Sequence, residues 1–136
     1  MLRVTATCTV STLQPFGYVA SSFVTGAPPA LGSVKNPIAL PEWSSPLPVD
    51  SDTAASIVYS GAPGSFTKHG QYFSLGDVLA GSVAPSSLKG KVVVVGAMGL
   101  PQSPDQVRTP TSSGEMWGPE AQANITAMFL SQSWAP

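Results

Sequence analysis

The chain has 136 residues, 43% of them hydrophobic and only 10% charged, with a net charge of −1. That is one domain's worth of polypeptide and enough to bury a core. Six Lys and Arg cannot build a basic patch, which argues against nucleic acid as a partner, and so low a charge density points to a surface covered by something else.

The opening Met1-Leu2-Arg3-Val4-Thr5 is a poor secretion signal, because threonines and a serine interrupt what should be an apolar core. Val4, Ala6, Cys8 and Val10 alternate with Thr5, Thr7 and Thr9, a period of two that predicts a strand over Arg3 to Val10. Cys8 is the single cysteine, so no internal disulfide forms, and its expected role is a small buried hydrophobe. Tyr18, Val19, Phe23 and Val24 suggest a second strand within Phe16 to Val24. From Gly26 to Asp52 the prolines at 28, 29, 37, 41, 46 and 48 remove backbone donors and predict an irregular, extended segment. Trp43 would anchor it, and Leu47 and Val49 could form a short edge strand.

Ala55 to Tyr59 reads as a strand and Ser60-Gly61-Ala62-Pro63-Gly64 as a turn, followed by a loop from Phe66 to Tyr72. Ser74 to Gly81 predicts a short helix with both ends written in. Ser74 is the N-cap, Asp77 stands three residues on, and Gly81 closes the helix. Leu75, Val78 and Leu79 make its apolar stripe. The four consecutive valines Val92 to Val95, bounded by Gly90 and Gly96, predict a strand buried on both faces, with Gly96 as a sharp exit. Leu100 to Gly118 reads as a long polar loop. Gly118-Pro119-Glu120 opens a last helix whose apolar stripe is Ala121, Ile125, Met128 and Phe129.

Strand, helix, strand, helix in the second half predicts an α/β fold: a layered sheet with a central parallel strand pair joined through a right-handed crossover. The Pro-rich first half would add irregular structure with short strands. No stretch approaches the roughly 18 apolar residues of a membrane span.

These blocks resemble a known family. Tyr59-Ser60-Gly61-Ala62-Pro63-Gly64-Ser65-Phe66, Asp77-Val78-Leu79-Ala80-Gly81 and Leu88-Lys89-Gly90-Lys91-Val92-Val93-Val94-Val95-Gly96-Ala97 are similar to successive parts of the CHASE type 2 domain. This is the second type of the cyclase and histidine-kinase associated sensory extracellular domains. Asp105, Thr109-Pro110 and Gly118-Pro119-Glu120-Ala121-Gln122-Ala123-Asn124 continue the series into the Met128-Phe129-Leu130 helix. Two departures stand out: Leu100 to Pro104 replaces a compact Gly-Asp turn, and Gln122 stands where the family often has histidine. On this reading residues 47–136 form the core of the resemblance, residues 1–46 match poorly, and 1–136 is a single domain or a fragment. The resemblance implies an extracytoplasmic, non-enzymatic sensor, periplasmic or extracellular. Its partners would be membrane helices and a cytoplasmic cyclase, histidine kinase or similar output module of a parent protein. A homodimer is compatible with it, and no cofactor is implied. The alternative is a structural or protein–protein interaction module without a small-molecule ligand.

Chemistry-bearing residues are few. Gly96-Ala97-Met98-Gly99 lacks both dinucleotide-binding and P-loop spacing, so a tight strand exit is its plainer reading. One His and one Cys cannot make a transition-metal site of usual composition, and no Gly-x-Ser-x-Gly places a nucleophile for His69. Asn124-Ile125-Thr126 matches a glycosylation acceptor, but inside a predicted helix. Asp105, Arg108 and Thr109 follow the valine strand, at the end where open α/β sheets bind ligands, and Glu120 and Asn124 lie one helical turn apart. This oxygen-rich set suits a small polar ligand or a hard cation. The plainer reading is structural: Asp105 and Asn124 would then hydrogen-bond the long loop.

Overall fold

The structure is a computed structural model that describes residues 2–3, 16–26, 47–48, 54–99, 105–111 and 114–134. In chain order its elements are β1 (Leu2–Arg3), α1 (Phe16–Thr25), β2 (Ala54–Ala55), α2 (Ser65–Lys68), α3 (Leu75–Leu79), a 3-10 turn (Pro85–Ser87), β3 (Gln106–Arg108), β4 (Glu115–Trp117) and α4 (Gly118–Ser131). Two compact units are present, one of residues 1–59 with 122–136 and one of residues 60–121.

The first unit holds the apolar core. Leu47, Ala55, Ile125, Met128 and Phe129 are buried together, with Val19, Ile57, Val58 and Trp134 packed against them. The expected stripe on α4 is therefore real. Trp134 meets Phe129 edge to face, with ring centroids 6.3 Å apart, and the Val58 N–H points at the Met128 Sδ at 3.4 Å. β1 pairs antiparallel with β2, Leu2 opposite Ala55 and Arg3 opposite Ala54. Only Arg3 of the expected Arg3–Val10 strand can be compared, because Val4 to Val10, Cys8 among them, lies outside the described residues, as do Trp43 and Val49. Leu47 is fully buried without belonging to a strand.

Phe16–Thr25 is a helix, not the strand its aromatic and β-branched content suggested. Its apolar residues Phe16, Val19, Ala20, Phe23 and Val24 recur at helical spacing, and in this segment that period outweighs β-propensity. Gly17 makes the packing of α1 possible: a Cβ there would stand 2.5 Å from Ile125 Cγ2 and 2.9 Å from the Thr126 N.

In the second unit α3 forms as its end signals require. The Ser74 Oγ accepts the Asp77 N–H at 3.0 Å and donates to the Asp77 carboxylate at 2.6 Å, while Gly81 takes a left-handed φ of 73°. α2 occupies the start of the expected 66–72 loop. Leu100 to Gly118 is not simply a loop. Gln106–Arg108 and Glu115–Trp117 form an antiparallel hairpin with Val107 opposite Met116. The Gly118 N–H donates to the Asp105 carbonyl at 2.8 Å and extends the ladder by one step.

The expected parallel pair and its layers are not found. Both sheets of the described residues are two-stranded and antiparallel. The valine segment joins neither sheet and is not buried on both faces: Val92 and Val94 are half-buried, Val93 is 52% exposed and Val95 76%. The apolar stripe of α3 faces solvent too, with Leu75 61% and Leu79 79% exposed. A strand gains its hydrogen bonds only from a neighbour, and among the described residues no strand pairs with these valines.

Candidate functional site

The residues singled out from sequence resolve into separate contacts. In the second unit, Glu120 sits in the first turn of α4, where the helix dipole favours a carboxylate. It is buried, and both of its oxygens accept the N–H of Gly64, at 2.8 and 3.1 Å. Gly64 is the N-cap of α2 and has a φ of 81°, a conformation that glycine alone adopts at little cost. A charge-assisted bond of this kind is among the stronger ones a backbone amide can make.

Asp105 is the other contact at the start of α4. It is exposed as a residue, but its carboxylate lies against Gly118, close enough that a Cβ at 118 would overlap it. Gly96 stands in the same relation to Pro119: a Cβ there would meet the Pro119 Cβ at 2.8 Å. Gly96 is therefore a close approach rather than the sharp exit expected of it. The left-handed turn falls at Gly99, with a φ of 74°.

Arg108 and Glu115 are directly opposite across the hairpin. Their ion pair, 3.8 Å long, is exposed and so worth little. Thr109 is buried, with its hydroxyl 2.8 Å from that of Thr111. Asn124 belongs to the first unit and is fully buried, as no glycan acceptor could be. Asp105 and Glu120 thus each make a separate contact at the start of α4, whereas Arg108 pairs across the hairpin and Thr109 turns inward. Sequence reading missed Gly64, Gly118 and Gly96 as partners of these groups. The available signal was the glycine itself, next to a proline in Pro63-Gly64 and Gly118-Pro119 but between Val95 and Ala97 at Gly96.

Nothing in this arrangement is a catalytic constellation. His69 is exposed, with its Nδ1 2.7 Å from the Ser65 carbonyl oxygen. Among the described residues no three His, Cys, Asp or Glu side chains gather into a metal site, and no helix is long and apolar enough to cross a membrane. Among the described residues the one ionisation the fold visibly moves is that of Tyr59, pushed up by partial burial.

No curated protein and no solved structure matches the chain significantly. The family model of the CHASE2 domain matches residues 7–136, nearly the whole length. The chain belongs to the CHASE2 family of sensory domains.

Proposed function

We propose that this chain is a non-catalytic signal-input domain, displayed on the extracytoplasmic side of a membrane. It would govern a cytoplasmic cyclase, histidine kinase or similar output module of a parent protein. The family match over residues 7–136 carries this reading. The Glu120–Gly64 and Asp105–Gly118 contacts supply a device for it, because each ties a loop or a hairpin base to the start of α4. A cation or small polar ligand drawn to the carboxylates of Asp105 and Glu120, with Arg108 and Thr109 beside Asp105 in sequence, would compete with those contacts. It would shift the balance between two loop arrangements only by binding one better than the other. Asn124 takes no part in this set, being fully buried.

The test is made in the parent protein, in its own membrane. Protease protection should put this domain on the outer side, and deleting residues 47–136 should change the output activity. A domain shielded on the cytoplasmic side, or an output indifferent to the deletion, would overturn the proposal. A second reading, an interaction module without a ligand, draws support from the solvent-facing Leu75, Leu79, Val93 and Val95.

A further inference from the structure

Three consecutive residues open α4, and each meets a different segment of the second unit. The Gly118 N–H donates to the Asp105 carbonyl at 2.8 Å, and the Asp105 carboxylate fills the place of a Gly118 Cβ. The Pro119 ring fills the place of a Gly96 Cβ in the same way. Both Glu120 oxygens accept the Gly64 N–H, at 2.8 and 3.1 Å. The base of the hairpin, the end of the valine segment and the head of α2 are thus gathered on one turn of helix.

Two features oppose the release of these contacts one at a time. Each has a glycine on one side, so no side chain there can give way as its partner moves. Glu120 is only 8% exposed, and lifting Gly64 alone would strip a buried carboxylate of a donor that both its oxygens share. A buried charge that loses a partner is costly, whereas a turn that opens as a whole gives its carboxylate to water. The chain has joints for such an opening. Gly90 and Gly99, each with a left-handed φ of 74°, bracket the segment that meets Pro119.

We propose that the first turn of α4, with Gly64, Gly96 and Asp105, is a single latch that opens as one unit short of global unfolding. On the sensory reading above, on which this second step rests, its opening is what a stimulus biases. The latch itself belongs to this chain alone, so it can fail while that reading stands.

Native-state amide exchange on the whole chain tests it. Amides exposed by one opening share one opening equilibrium, so Gly64 and Gly118 should show equal protection, at least about tenfold below that of Phe129 in the core. Gly96→Ala alters neither amide, yet it should speed exchange at both by the same factor, about fivefold or more. Glu120→Gln, which keeps the side-chain shape, should also speed exchange at Gly118, whose amide is held by Asp105. The Ala80 amide, bonded to the Gly76 carbonyl within α3, should keep its rate in both variants. Unequal protection at Gly64 and Gly118, or an effect of Gly96→Ala confined to its chain neighbours, would overturn the latch. So would protection at both equal to that of Phe129, because only the whole fold would then open. In the parent protein, Gly96→Ala should shift the output activity. An unchanged output beside coupled exchange would overturn the signalling step.

Discussion

The Glu120 carboxylate and the Gly64 amide are joined across 56 residues of sequence, with both oxygens on one N–H at 2.8 and 3.1 Å. Glu120 lies in the first turn of α4 and Gly64 at the head of α2. Glu120→Ala leaves a partly buried donor without its acceptor, which costs about 1–3 kcal/mol. Glu120→Gln keeps one acceptor oxygen and should cost less. Amide exchange at Gly64 is the direct readout, and protection there that survives Glu120→Ala would show that the contact holds nothing.

Close approach makes its own demand at Gly96 and Gly118. Gly96→Ala drives a methyl into the Pro119 ring, and Gly118→Ala drives one into the Asp105 carboxylate. Each should cost about 1–3 kcal/mol in denaturant melts. Asp105→Ala in the Gly118→Ala background should return part of that loss. An unchanged double variant would deny the contact.

Gly17 and Gly26 separate packing from conformation. A methyl at Gly17 meets Ile125 and the Thr126 backbone, so Gly17→Ala should destabilise the first unit by about 1–3 kcal/mol. Gly26 has open space around it but a φ of 71°, so Gly26→Ala should cost only the left-handed penalty of about 1–2 kcal/mol. Near-ultraviolet dichroism of the core aromatics should change for the first variant and not for the second.

Apolar side chains should divide by burial rather than by type. Phe129→Ala empties the centre of the core and should cost about 3–5 kcal/mol. Leu79→Ala, in an exposed helix end, should stay within about 0.5 kcal/mol in the isolated chain. A large loss at Leu79 would mean that something covers α3.

Tyr59 sets an alkaline limit. Its folded pKa lies above the unfolded value of 10.0 because burial disfavours the phenolate. The unfolded chain therefore releases its proton first. Stability should be full below pH 10 and fall as pH rises through the unfolded and then the folded pKa. Thermal melts across that range should show a shallower decline for Tyr59→Phe, and identical slopes would exclude Tyr59 as the source.

What was readable in the residues was whatever a few neighbours settle among themselves. Ser74, Asp77 and Gly81 carry both ends of α3, and Pro119 with the stripe from Ala121 to Phe129 carries α4, because helix hydrogen bonds close within four residues. The order of motifs from Tyr59 to Leu130 already pointed to the family. Partnership across the chain was not readable. That Glu120 would take Gly64, that Asp105 would lie on Gly118, and that β3 and β4 would pair inside a proline-rich stretch depends on residues far apart in sequence or on backbone geometry. The valines show the difference most plainly. Their stiffness favours a strand, but a ladder needs a second strand, and only the folded chain reveals that the described residues provide none.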